Sequence, residues 1–145
     1  MSITKEELAR LLPHGESMRL LDLVEIWDEQ NIRCRTSTHR HQQNPLRSRG
    51  RLTVSAGLEY AAQAMGAHVG LLYHGHRTQA PIGYVGSVRD VTFSVSRLDD
   101  LEDDLTIDAS RMVEGADSYM YRFTVSHRGS AVIEGRASIF IQPAV

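Results

Sequence analysis

The sequence predicts an α+β domain in which one antiparallel sheet of about six strands wraps a single long central helix. Three observations carry that prediction. Thr53 to Tyr73 (TVSAGLEYAAQAMGAHVGLLY) is rich in alanine and, beyond its first turn, keeps only Glu59, Gln63 and His68 as polar side chains, so it reads as a helix buried nearly all round. Four segments follow with strand texture: Ile82 to Val95, Asp104 to Val113, Ser118 to His127 and Ala131 to Ile141. In the third of them Tyr119, Tyr121, Phe123 and Val125 alternate with Met120, Arg122, Thr124 and Ser126. The connections LDDLEDD, EGAD and HRGS are short, polar and rich in Asp and Gly, which makes a meander the simplest topology.

The remaining elements follow in order. Thr4 and Glu7 form a Thr-x-x-Glu capping box ahead of leucines, and Pro13 stops that first short helix. Met18 to Trp27 and Asn31 to Thr38 read as two strands joined by a turn at Asp28 to Gln30. His39 to Arg51 (HRHQQNPLRSRGR) is polar, contains Asn-Pro and Gly, and has no period, so it is a loop of the length that often carries function. Small residues on all sides of the long helix let the sheet approach closely. A sheet of this kind has an edge and apolar surface to cover, which predicts homodimerisation, or a higher homo-oligomer, through edge pairing.

Size and composition bound the function. The 145 residues fit one domain, 1–145, with no internal repeat or linker. A formal charge of −2 is too balanced for a general nucleic-acid binder. The N-terminal MSITKEELARLL carries acidic residues and lacks the apolar core of an export signal, and no apolar run approaches the roughly 18 residues of a membrane helix. The cytoplasm is the expected compartment. Cys34 lies in an alternating run and reads as a small apolar filler. His74 and His76 form a His-x-His without a third ligand, so no metal is expected, and no cofactor.

Glu59 is the first candidate for chemistry, because a carboxylate in AGLEYAAQA costs several kcal/mol to desolvate and needs a reason to be there. A partly exposed or ion-paired carboxylate is the structural explanation. A carboxyl group held in an apolar site, able to donate a proton at neutral pH, is the functional one. Gln63, one turn on, shares its face and is placed to orient it. Backbone N–H groups from Val54 to Leu58, if uncapped, present a positive dipole end to a carbonyl oxygen that gains charge, and Gly57 removes a side chain there. Proton abstraction also needs a base. His39 and His41 stand at the start of the loop leading to the helix, and His14 follows Pro13. Arg35, Arg40, Arg47, Arg49 and Arg51 form a local basic cluster suited to an acidic partner or a phosphate.

Leu11-Leu12-Pro13-His14 with Leu20-Leu21-Asp22, then Gly57-Leu58-Glu59-Tyr60-Ala61-Ala62-Gln63-Ala64, then Gly83-Tyr84-Val85-Gly86 leading to Phe93, resemble the bacterial β-hydroxyacyl-acyl carrier protein dehydratases in order and approximate spacing. With His39 and Asn44-Pro45-Leu46, the chain is most similar to the divergent dehydratase-like (thioester dehydrase) proteins of aryl polyene pathways. That resemblance implies a hot-dog fold, active sites at a subunit interface, and loss of water from a 3-hydroxyacyl thioester on acyl carrier protein, in fatty acid or polyene type biosynthesis. It implies Glu59 as the acid that protonates the departing hydroxyl, a histidine that removes the proton beside the thioester carbonyl, and Gly57, Gln63, Tyr84 and Gly86 along the substrate. Where those dehydratases carry Gly-His-Phe-Pro ahead of the acid, this chain has Pro45 and no histidine, so a relocated base is expected: His39 first, His14 second. Arg47, Arg49 and Arg51 would meet the carrier and its phosphopantetheine arm. Two other readings stand beside the dehydratase. One is a non-catalytic hot-dog partner subunit; the other is an acyl-thioester hydrolase, since a carboxylate on the helix can equally activate water.

Overall fold

The computed structural model describes residues 3–11, 18–73, 82–115 and 118–142. The capping box forms as its residue types dictate: Thr4 N–H donates to Glu7 Oε1 and Glu7 N–H to Thr4 Oγ1, each at 3.3 Å, opening helix α1 at Lys5–Leu11. Ile3 bridges back to Val24, which lays this N-terminal segment against the first strand. Strands β1 (Leu23–Trp27) and β2 (Asn31–Thr36) form a hairpin whose turn is tied by Asp28 Oδ1, which accepts from the N–H groups of Gln30 and Asn31 at 2.8 Å.

The long helix α2 runs over Gly57–Tyr73, preceded by a 3₁₀ turn at Val54–Ala56. Strands β3 (Ile82–Phe93), β4 (Leu105–Glu114), β5 (Ser118–His127) and β6 (Ser130–Gln142) complete a six-stranded antiparallel sheet. Its order, β1-β2-β4-β5-β6-β3, corrects the meander expectation. β1 and β2 follow one another, as do β4, β5 and β6, whereas β3 crosses to the far edge and pairs with β6. The crossing leaves β4 free to pair with β2, so the hairpin and the later strands close round α2 as one surface.

The concave face and the helix share one core. Tyr60, Ala61, Ala64, Met65, Ala67 and Leu71 of α2 are buried against Val24, Ile32, Ile107, Tyr121, Phe123, Ile133 and Ile139. Met65 is therefore core filling. Cys34 is sealed in the same core, and burial pushes its thiol up to about 12, so it behaves as the apolar filler its position predicts. His68, fully buried on α2, donates from Nε2 to the Asp28 carbonyl at 2.8 Å, which leaves Nδ1 to accept from the Tyr121 hydroxyl at 2.6 Å. It ties the helix to the β1–β2 turn and to β5.

Candidate active site

Glu59 sits in the first turn of α2 and is half-buried, not sealed. The next residue, Tyr60, points into the protein with no exposed surface. Its hydroxyl is the hub of a buried polar network. Thr38 Oγ1 lies 2.8 Å from it, the Asn44 side-chain amide donates to it at 2.9 Å, and burial pushes the phenol pKa up. Asn44 also donates to the Thr38 carbonyl at 3.0 Å and accepts from Leu46 N–H at 2.8 Å, turning the chain at Asn44-Pro45. Thr38 and Thr36 hydroxyls both reach the Leu20 carbonyl, at 2.6 and 2.5 Å. The network thus clamps the loop after β2 onto the first turn of α2. His39 and Glu59 are the sequence neighbours of Thr38 and Tyr60, so the two candidates flank one contact.

His39 is fully buried in a single 3₁₀ turn, Thr38–Arg40. Its Nε2 lies 3.0 Å from the Leu101 carbonyl; because a carbonyl only accepts, that nitrogen carries the proton and Nδ1 keeps its lone pair. Nδ1 is buried without a partner among the described residues. Burial pulls the ring's pKa below the ordinary histidine value, which keeps it neutral at pH 7. His14, His74 and His76 lie outside the described residues, and His41 is exposed.

Several expectations change once the packing is seen. Gln63 is buried, and its amide spans the chain ahead of β1: Oε1 accepts from Leu20 N–H at 2.9 Å and Nε2 donates to the Met18 carbonyl at 2.6 Å. It holds backbone in place of orienting Glu59. The space at Gly57 is filled, since a Cβ there would stand 2.1 Å from Ile133 Cδ1. The glycine lets the helix start lie on β6. Gly86 on β3 is exposed, but the Phe140 ring would stand 2.0 Å from a Cβ there. Backbone donors at the helix start are also engaged: Val54 N–H by Ser96 O, Ala56 N–H by Thr53 O, and Gly57 N–H by Val54 O. These contacts engage three of the five amides from Val54 to Leu58, two of them through the 3₁₀ turn. The side chain of Tyr84 lies outside the described residues.

The arginine cluster divides. Arg47 is largely buried and braces its own loop, donating to the carbonyls of His41 at 2.8 Å and Gly50 at 3.0 Å and lying 3.9 Å from Asp99. Asp99 also accepts from Leu52 N–H at 3.0 Å and from Arg97, and the Arg97 guanidinium holds its carboxyl far below the usual range. Arg49 and Gly50, with φ of 54° and 76°, form a tight two-residue turn closed by Ser48 and Arg51, and Arg49 and Arg51 project into solvent. Arg47 is thus a bracing residue, and the exposed pair is what remains for a partner. No amino-acid type in the sequence marked the Thr36–Thr38–Asn44–Tyr60 network; the Asn-Pro dipeptide was its one local signal. Among the described residues no three His, Cys, Asp or Glu converge as metal ligands, and no helix is long and apolar enough to cross a membrane.

Solved structures share this architecture. A chain of the dehydratase heterocomplex ApeI:P from Xenorhabdus doucetiae superposes with a TM-score of 0.83 at 22% identity, covering 94% of this chain and 91% of that one. AziG from S. sahachiroi gives 0.67 at 18% identity over 93% of this chain and 100% of that one. A hypothetical thioesterase protein with coenzyme A from Streptococcus pneumoniae gives 0.61 at 15% identity over 83% and 84%. These likenesses establish the hot-dog fold. No curated protein matches the chain in sequence. The model of the ApeP dehydratase family matches residues 6–144, and the chain therefore belongs to the ApeP-like dehydratases.

Proposed function

We propose that this protein removes water from a 3-hydroxyacyl thioester carried by acyl carrier protein, in biosynthesis of fatty acid or polyene type, as a cytoplasmic homodimer. Glu59 is the acid and His39 the base. The observation that carries the reading is the shared clamp: the Thr38–Tyr60–Asn44 network holds the His39 turn against the first turn of α2, where Glu59 stands. His39 Nδ1 takes the proton from the carbon beside the thioester carbonyl; the resulting electron pair forms the double bond as the C–O bond breaks. Glu59 gives its proton to the leaving hydroxyl, which departs as water. The Leu101 carbonyl fixes the tautomer that leaves Nδ1 basic. Arg49 and Arg51 meet the phosphate of the phosphopantetheine arm. The edge strand β3 supports a homodimer, since it carries exposed apolar side chains.

One observation favours a second reading. The His39 ring has no exposed surface in the single chain, which suits a partner subunit that binds a carrier or another hot-dog chain without turnover. Mass spectrometry of 3-hydroxyacyl carrier protein decides between them, using wild type, Glu59→Gln, His39→Ala and His14→Ala. The dehydratase reading expects loss of water, reduced about 10²–10⁴-fold by Glu59→Gln and by His39→Ala, with His14→Ala near wild type. Unchanged substrate with retained carrier binding establishes the partner subunit, and free acid establishes a hydrolase.

A further inference from the structure

Arg122, Arg136 and Arg89 stand directly opposite one another on β5, β6 and β3. They lie on the sheet face turned away from α2, since Phe123, Gly135 and Ala137 beside them are buried on the inner face while Arg122 and Arg89 are exposed. Like charges placed directly opposite on neighbouring strands repel by up to about 1 kcal/mol per pair. Folding gains nothing from the arrangement. Arg136 has Asp90 at 3.9 Å, and neither Arg89 nor Arg122 has an acidic partner among the described residues. The same transverse row continues through Ser110 and Asn31, bonded to each other at 2.6 Å, so it is polar from β3 to β2.

From this row we infer a docking surface for an acidic α-helix of the carrier protein, its long axis lying across the strands; the identity of that partner rests on the function proposed above. The match is one of spacing. Neighbouring strands place the arginines about 4.8 Å apart, and carboxylates one turn apart on a helix recur about every 5.4 Å. Three successive turns of such a helix meet three successive strands nearly in register. The next row supplies Ser87 on β3 and Ser138 on β6, small side chains that leave room for a helix there, and the half-buried Met120 on β5. On the other side Glu134 faces outward, and with Asp90 it disfavours a broad anionic surface such as a membrane or a nucleic acid while tolerating a narrow line of carboxylates.

The test is fluorescence anisotropy of labelled holo-acyl carrier protein with wild type, with Arg89→Ser, Arg122→Ser and Arg136→Ser combined, with the same three changed to Lys, and with Arg49→Ser and Arg51→Ser combined. The serine triple is expected to weaken carrier binding roughly tenfold or more, with a shallower salt dependence, and the lysine triple to retain most of the affinity. Dehydration of the same acyl group on free pantetheine is expected to be unchanged in the serine triple. Carrier affinity within twofold of wild type in the serine triple overturns the surface. So does a wild type that binds duplex DNA or anionic phosphatidylglycerol vesicles but not the carrier. Wild type that binds the carrier through the row yet removes no water leaves the surface standing and sinks the dehydratase reading, so the two failures are distinct.

Discussion

His39 and His68 are both buried, both donate Nε2–H to a backbone carbonyl, and both have their pKa lowered by desolvation. A lowered basic pKa means the unfolded chain binds more protons than the folded one once pH falls below the unfolded histidine value near 6.5. The stabilisation these rings provide is complete above that pH and is lost progressively below it, by at most about 1.4 kcal/mol per pH unit for each ring. Urea midpoints between pH 7.5 and 5 are expected to fall, and His68→Gln to flatten the slope; a midpoint independent of pH in wild type contradicts the buried neutral rings. If His39 is the base, the acid limb of kcat/KM lies below the ordinary histidine range, because the ring stays neutral further into acid. Asp99 acts in a separate window. Its depressed carboxyl contributes stability above the unfolded aspartate value and loses it only as pH falls below about 4. Among the arginines, burial separates roles that sequence proximity merged. Arg47→Ala is expected to cost about 1–3 kcal/mol in thermal or urea unfolding, by freeing the carbonyls of His39, His41 and Gly50 and the Asp99 carboxylate, whereas Arg49→Ala and Arg51→Ala stay within about 0.5 kcal/mol.

At the scale of elements, the start of α2 is set by one contact with β6. A methyl at position 57 would stand 2.1 Å from Ile133 Cδ1, so Gly57→Ala is expected to destabilise by about 1–3 kcal/mol. Ile133→Val removes that terminal methyl at a cost of about 0.5–1.5 kcal/mol on its own. The double variant is expected to be more stable than the sum of the two losses, a coupling measurable by urea unfolding of all four proteins; strict additivity would show that the helix start does not rest on Ile133. This contact also shows what a sequence can and cannot display. The helix itself was legible, because alanine and glycine on every side of TVSAGLEYAAQAMGAHVGLLY leave no other use for the segment. Strand β5 was legible to the residue, because Tyr119 to Val125 alternate without interruption. The destination of β3 was not, since its period is broken by bulges near Gly86 and Asp90 and nothing local states which strand it joins. The role of Gln63 was hidden for a related reason. Its partners, Met18 and Leu20, lie more than forty residues away and are backbone groups, which carry no signature in side-chain chemistry.

For the whole molecule the unfinished element is the β3 edge. Val88 and Phe93 pair with Ala137 and Ile133, residues of the buried inner face, yet they are 40% and 45% exposed. They point toward the core side of the sheet at a place where α2 no longer covers it. A second copy adding its own β3 to this edge would satisfy the strand's free N–H and C=O groups and bury these side chains, each contributing about 1.5–3 kcal/mol on full burial. Because a two-fold interface uses every residue twice, charges introduced at these positions act doubly. Val88→Lys combined with Phe93→Lys is therefore expected to shift the mass seen by light scattering from twice 16.2 kDa to 16.2 kDa, with little change in far-ultraviolet circular dichroism. Dehydration should fall with the dimer if the site is completed by the second chain. A wild type that is monomeric at tens of micromolar, with its activity intact, would remove the homodimer and leave β3 as the edge presented to a different hot-dog chain.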